Sequence, residues 1–147
     1  MKPSEKTQGE IAAFFASYRA AFDRHDPDSI VGHFVYPCHF VSDADPVALM
    51  PIANEQDCRM GVERVLGWHR DIGAVAGELT EFIVTELSPR LASVSLKVDL
   101  HDKAGRRLYD FHGLYTLVRK SDAWKIAAIS HNQIPRLRSC VARIKGP

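Results

Sequence analysis

The sequence lacks the features that would place a protein in a membrane or in a disulfide-stabilised secreted fold. The 147 residues contain no run of eighteen apolar residues, which excludes a transmembrane helix. Residues 1–6 lack the apolar core of a signal peptide. The three cysteines, Cys38, Cys58 and Cys140, are an odd number without a close-spaced pair. We therefore expect a cytoplasmic protein that contacts no membrane and forms no disulfide framework.

The sequence also lacks an excess of either charge. The formal net charge of +1 gives no overall electrostatic reason to bind nucleic acid, so we expect no nucleic-acid partner. The length and the ordinary apolar content suit one globular domain. We expect a single domain over residues 1–147, with residues 1–7 and the basic segment 135–147 as flexible or peripheral tails.

Three helices are predicted in the first half of the chain. Apolar residues at helical spacing predict the first over residues 8–24. Asp26 and Pro27 end it and begin a second helix over 27–34, since Asp caps free N–H groups and Pro suits the first helical position. A third helix is predicted over 55–72.

The last third of the chain predicts three antiparallel strands. Apolar and polar residues alternate over residues 91–101, 106–119 and 123–133, which is the pattern of a strand with two unlike faces. If both connecting turns have four residues, three cross-strand pairs follow, namely Arg119–Trp124, Leu114–Ile129 and His112–His131. One face then collects Ser95, Lys97, Asp110, His112 and His131, and the other face is nearly all apolar.

Two segments resemble the nuclear transport factor 2-like superfamily, which includes SnoaL-type polyketide cyclases and ketosteroid isomerases. They are "AAFDRHDPDSIVGHF" near the start and "YTLVRKSDAWKIAAISHNQ" near the end. The order of the predicted elements agrees with this resemblance over roughly residues 8–133. It implies an α+β fold, a cone-shaped curved antiparallel sheet with the N-terminal helices packed on its concave face, and a mostly apolar cavity.

The resemblance also implies which residues face that cavity. The cavity-facing rows of the isomerases correspond here to Ala127, Ile129 and His131 on the last strand, and to His112, Leu114 and Thr116 on the strand before it. The oxyanion tyrosine of the isomerases falls on Tyr18. Their general-base aspartate falls near Ser42 and their second oxyanion acid falls on Thr116, so the catalytic pattern is only partly kept.

A site hypothesis follows from these two lines of reasoning. Asp110, His112, His131 and Tyr18 are the predicted catalytic residues. A carboxylate orients an imidazole and raises its basicity, while a tyrosine donates to a developing oxyanion. The predicted substrate-binding residues are Phe22, Phe34, Leu114, Thr116 and Ile129. The alternative for the same polar residues is structural, because paired histidines also bond each other or water.

Two classes of function stay open at this point. The first is a small acid–base isomerase, cyclase or dehydratase without an organic cofactor, acting on a small oxygenated hydrophobic molecule. The second is a non-catalytic ligand-binding or assembly module of the same fold. No tight metal-binding motif occurs, and no metal is predicted. Because one sheet face carries many apolar residues, including Val94, Leu96 and Phe111, we also expect a homodimer through the outer sheet face.

Overall fold

The computed structural model describes residues 2–146 and consists of helices packed on a curved six-stranded sheet. The elements are, in chain order, α1 (Glu5–Asp23), α2 (Pro27–Val31), β1 (Phe34–Ser42), β2 (Ala48–Ile52), α3 (Glu55–Ile72), β3 (Ala76–Ser88), β4 (Leu91–His101), β5 (Arg107–Lys120), β6 (Ala123–His131) and α4 (Gln133–Lys145). The predicted α+β fold class is confirmed.

Local sequence signals explain where the helices begin and end. The Asp26 carboxylate accepts a hydrogen bond from the Ser29 N–H at 3.2 Å, so it caps α2 as predicted. Asn54 caps α3 in the same way, accepting from the Asp57 N–H at 2.9 Å. Gly73 ends α3 in the left-handed conformation, with φ of 76°, which glycine adopts without strain.

The strands lie in the order β2-β1-β6-β5-β4-β3. All neighbouring pairs are antiparallel except β1 and β6, which are parallel. The sheet is therefore mixed, where the sequence predicted only antiparallel strands. Parallel neighbours need a long connection, and here the connection includes β2, α3 and three further strands. This arrangement brings the end of β1 beside the end of β6.

The apolar face of the sheet is the inner face, against which the helices pack. Its residues are each no more than 4% exposed, and they include Val94, Leu96, Val98, Phe111, Tyr115, Leu117 and Ile126. Phe15 of α1 meets the Tyr115 ring edge-to-face at 5.1 Å. The prediction that these apolar residues form the outer face was wrong, because they are the hydrophobic core of a single chain.

A β-bulge in β6 changes the predicted pairing with β5. Arg119 pairs with Trp124 as predicted, but the register shifts at Ala127, which lies between the pairs Leu117–Ile126 and Thr116–Ala128. Beyond the bulge, Tyr115 pairs with Ile129 and Gly113 pairs with His131. The predicted Leu114–Ile129 and His112–His131 pairs were therefore wrong. One extra residue moves every later side chain of a strand to the opposite face.

The C-terminal helix α4 replaces most of the tail predicted over residues 135–147. Its Leu137 and Cys140 are fully buried. The first residues of β5 extend beyond the end of β6, so their carbonyls have no neighbouring strand on that side. Arg136 donates to the Asp110 carbonyl, and Arg143 donates to the Leu108 carbonyl. Helix α4 thus satisfies a strand edge that would otherwise be open. Within residues 2–146, no helix is both long and apolar enough to cross a membrane.

Candidate functional site

A cavity of about 410 Å³ lies between the inner face of the sheet, α1 and α3. Its wall is mostly apolar and is formed by Tyr18, Phe22, Phe34, Phe40, Ser42, Ala44, Ala48, Met50, Ile52, Asp57, Cys58, Met60, Gly61, Val62, Arg64, Val65, Trp68, Tyr115, Ile129, His131, Gln133 and Ile134. A concave apolar cavity with a few polar groups is the usual form of a small-molecule site.

The structure brings only part of the predicted site together. Of the predicted site residues, those that line the cavity are Tyr18, Phe22, Phe34, Ile129 and His131. The predicted residues outside its wall are Asp110, His112, Leu114 and Thr116. All four outside residues lie on β5, in the row opposite to Tyr115. The bulge in β6 explains the split, because it turns the end of β6 inward without changing β5.

Tyr18 holds a central position in the aromatic part of the wall. Its ring meets those of Phe22, Phe34 and Tyr115 at centroid distances of 5.2, 5.9 and 6.3 Å. Such edge-to-face contacts fix ring positions more narrowly than aliphatic packing does. Burial raises the pKa of the Tyr18 hydroxyl well above its ordinary value. The phenol is therefore neutral and can donate a hydrogen bond.

His131 is the half-buried imidazole of the cavity wall. Its Nδ1 accepts a hydrogen bond from the backbone N–H of Gln133 at 3.1 Å. Burial lowers the pKa of His131 to about 4, so the ring is neutral at neutral pH. A neutral imidazole carries one proton. Because Nδ1 is the acceptor, that proton lies on Nε2.

Ser42 is the second polar group that β1 and β6 place together. It pairs in register with His131 on the neighbouring strand, and both side chains line the cavity. Ser42 is only 2% exposed, and its Oγ has no hydrogen-bond partner among residues 2–146. A buried hydroxyl without a hydrogen-bond partner costs free energy.

Sequence reasoning missed the contribution of α3 and β2 to the cavity. Met60, Arg64 and Trp68 of α3 and Met50 of β2 all belong to the wall. The helical periodicity of α3 was visible in the sequence, and it identified the apolar side of the helix. Periodicity does not say whether that side meets another element or an open space, so the cavity itself left no signal.

The outer face of the sheet carries a charged cluster around Asp110 instead of a cavity. Lys97 and Arg107 lie 3.5 and 3.3 Å from its carboxylate, and Arg136 of α4 bonds the other oxygen. Burial disfavours ionisation of Asp110, but the hydrogen bond from Arg136 and the three positive charges outweigh it and lower the pKa. The cluster fastens α4 to β5.

His112 lies on this outer face and is separate from His131. Its side chain is 59% exposed, and its Nε2 is 3.6 Å from the Glu81 carboxylate. A solvated imidazole beside one carboxylate is an ordinary surface pair. The predicted cluster of His112, His131 and Asp110 therefore does not form. Among residues 2–146, no three His, Cys, Asp or Glu side chains are grouped so that they could hold a metal ion.

The curved sheet, the helices on its concave side and the cavity between them define a protein of the NTF2-like class, also described as cystatin-like. Residues 8–133 match the family described as NTF2-like protein (DUF6841). The chain belongs to this family, and the predicted superfamily is confirmed. No curated protein matches the sequence.

Solved structures of similar fold agree with this assignment. Aln2 from a Streptomyces species is 21% identical, with a TM-score of 0.72 over 97% of this chain and 98% of its own. A ketosteroid isomerase-like protein from Erwinia carotovora atroseptica is 18% identical, with a TM-score of 0.64 over 89% and 98%. An NTF-2 like protein of unknown function from Shewanella oneidensis is 13% identical, with a TM-score of 0.67 over 86% and 99%. At these identities the likeness concerns the fold alone.

Proposed function

We propose that this protein binds a small, uncharged and mostly apolar molecule in the cavity between α1, α3 and the sheet. The observation that carries the proposal is the cavity itself, about 410 Å³ in volume and lined mainly by aromatic and aliphatic side chains. Close packing normally leaves few voids larger than a water molecule in a protein core. A cavity of this size in a small domain therefore supports a binding role.

The charges of the wall agree with an uncharged ligand. Asp57 and Arg64 are the charged residues among the described wall residues, and both belong to α3. Their signs are opposite, so the wall carries no excess charge. The polar wall groups Tyr18 and His131 are neutral for the reasons given above. Charged ligands are disfavoured in such surroundings, because burying an unpaired charge is costly.

Two glycines provide a matched test of the cavity. Gly61 of α3 lines the cavity and Gly9 of α1 does not, while a Cβ added at either position meets nothing within 4 Å. We expect 2-isopropenylnaphthalene, an uncharged apolar probe, to bind the wild-type protein, and Gly61→Phe to abolish binding by occupying the space. Gly9→Phe should bind like the wild type. Isothermal titration calorimetry measures all three.

Two results of the same titration would refute the proposed site. One is the absence of heat with the wild-type protein both for this probe and for its ketone counterpart, 2-acetylnaphthalene, at concentrations up to their solubility limits. The other is equal binding by Gly61→Phe, which would place the probe elsewhere on the protein.

Acid–base catalysis is the second candidate function, and Tyr18 is the observation that favours it. A neutral phenol in an apolar wall can stabilise an oxyanion that develops on a bound ketone, as an isomerase, cyclase or dehydratase requires. Exchange of the methyl protons of bound 2-acetylnaphthalene for deuterium, followed by NMR, tests for enolisation. Exchange that the protein accelerates and that Tyr18→Phe slows by roughly 10²-fold or more would favour the enzyme. Exchange at the solvent rate would favour the binding protein.

A further inference from the structure

The ends of β1 and β6 hold two hydrogen-bonding groups side by side in the cavity wall. Ser42 and His131 are register partners in the parallel pair of strands. The next residue of the chain, Asp43, donates its N–H to the His131 carbonyl at 3.0 Å, which continues the pairing beyond β1. The backbone thus fixes the spacing of the two side chains, and the pair does not depend on a flexible loop.

The contacts of Gln133 determine which nitrogen of His131 carries the proton. The Gln133 backbone N–H occupies Nδ1, and the Gln133 side-chain amide donates to the Tyr109 hydroxyl at 3.1 Å. Tyr109 in turn bonds Nε2 of the buried His69 at 2.7 Å. This chain of contacts anchors Gln133 to the core. His131 therefore offers the cavity an Nε2–H donor, and no residue among 2–146 accepts a hydrogen bond from it.

This tautomer excludes the most obvious catalytic use of a serine beside a histidine. A serine nucleophile needs an imidazole nitrogen that accepts the hydroxyl proton. Here the nitrogen left for the cavity is the protonated one, and Ser42 Oγ makes no hydrogen bond to His131. The Ser42 hydroxyl and His131 Nε2–H are instead two hydrogen-bond donors that lack an acceptor. A serine nucleophile would need His131 to be the acceptor.

We propose that Ser42 and His131 form a subsite for the carbonyl oxygen of an uncharged ketone, ester or lactone. A carbonyl oxygen has two lone pairs and no proton of its own, so it can accept from the Ser42 hydroxyl and from His131 Nε2–H together. A hydrocarbon would leave both donors unsatisfied. A carboxylate would be buried beside two neutral donors in a wall that carries no excess positive charge. The inference rests on the proposed function and adds the chemical class of the ligand.

Three ligands with one skeleton test the subsite by isothermal titration calorimetry. 2-Acetylnaphthalene carries the carbonyl, 2-isopropenylnaphthalene replaces its oxygen with a CH₂ group, and 2-naphthoate carries a negative charge. We expect the ketone to bind the wild-type protein about tenfold more tightly than the alkene, because the alkene offers no acceptor to the buried Ser42 hydroxyl or to His131 Nε2–H. The naphthoate should bind more weakly than the ketone.

Paired variants on the two faces of the sheet identify the donors. His131→Asn removes Nε2–H while its side-chain oxygen still accepts from the Gln133 N–H, and Ser42→Ala removes the hydroxyl. Each should lower ketone affinity about 3–10-fold and leave alkene affinity unchanged. The controls His112→Asn and Ser130→Ala change the same residue types at exposed positions of β5 and β6. They should bind both ligands like the wild type.

The infrared carbonyl stretch of bound 2-acetylnaphthalene reports the hydrogen bonds directly. Its frequency should be lower in the wild-type protein than in His131→Asn or Ser42→Ala. Equal wild-type affinities for ketone and alkene, or tighter binding of the naphthoate, would overturn the subsite while leaving the proposed cavity function intact. Failure of all three ligands to bind would instead refute the proposed function.

Discussion

Two histidines on neighbouring strands of this sheet have opposite surroundings. His131 lines the apolar cavity, and burial lowers its pKa to about 4. His112 stands on the other face, where its side chain is 59% exposed and lies near Glu81. They are similar in the sequence, since each lies within an alternating strand segment. The face of the sheet, and not the residue type, decides which of them can bind a ligand.

The whole sheet repeats this contrast between its two faces. The inner face combines aromatic residues with neutral donors, and a hydrogen bond is stronger in such apolar surroundings than in water. The outer face carries the Asp110 cluster, whose positive partners keep contact with solvent. Polar groups on the outer face therefore hold α4 in place, while the Ser42 hydroxyl on the inner face has no hydrogen-bond partner among residues 2–146.

The largest expected difference between the inner and outer faces of the sheet is their contribution to the pH dependence of stability. The folded-state pKa is lowered to about 4 for His131 and to about 3 for His69, where burial dominates and the Arg19 charge adds to it. Unfolded histidines titrate near pH ~6.5, so below that pH the unfolded chain takes up protons that the folded chain excludes. The stabilisation that depends on these neutral histidines is complete above pH ~6.5. It is lost as the pH falls towards their folded-state pKa values.

We therefore expect the free energy of unfolding to fall by about 2–4 kcal/mol between pH 7 and pH 5. Urea denaturation at several pH values measures this loss. His131→Asn should reduce it by about half. Equal pH profiles for the wild type and His131→Asn would contradict the buried, neutral state of His131.

A smaller effect is expected from Asp110 on the outer face. Asp110→Ala removes the anion that pairs with Lys97, Arg107 and Arg136. Since the positive partners can be solvated, we expect a loss of about 1–2 kcal/mol in the free energy of unfolding. The affinity for 2-acetylnaphthalene should not change. A loss of affinity without a loss of stability would mean that the outer cluster takes part in binding.

The smallest effect on the stability of a single chain is expected from a substitution at Leu114. The same substitution tests the predicted homodimer. Leu114 and Ile83 are 50% and 64% exposed on strands of the outer face. Leu114→Asp should change single-chain stability by less than about 0.5 kcal/mol. If the protein is a homodimer through the outer sheet face, light scattering should show a dimer for the wild type and a monomer for Leu114→Asp.

A variant on α4 provides the control for the assembly test. Ile144 is 47% exposed and lies on α4. Ile144→Asp should scatter like the wild type. A wild-type monomer at micromolar concentration would contradict the homodimer. The apolar residues first assigned to that interface cannot supply it, because they are buried beneath the helices.

The sequence by itself determined the class of fold and most of the elements, but not helix α4. Apolar residues at helical spacing and the caps at Asp26, Asn54 and Gly73 depend only on neighbouring residues, and these signals placed α1, α2 and α3 within a few residues. The alternation of the last strands and the resemblance of two segments then gave the cone-shaped fold. The cavity positions of Tyr18, Phe22 and Phe34 also followed from that resemblance.

The tertiary structure alone decided which strand faces turn inward. Alternation divides a strand into two rows, but a single bulge at Ala127 reverses the rows for the rest of β6. That bulge brought His131 into the cavity and left His112 outside. The pairing of Ser42 with His131 depends on a parallel contact between strands far apart in the chain, and helix α4 is stabilised by an open strand edge. The strand pairing depends on a distant partner, so no local pattern predicted it. Helix α4 does carry apolar residues at helical spacing, Ile134, Leu137 and Val141, but sequence reasoning left them in a tail.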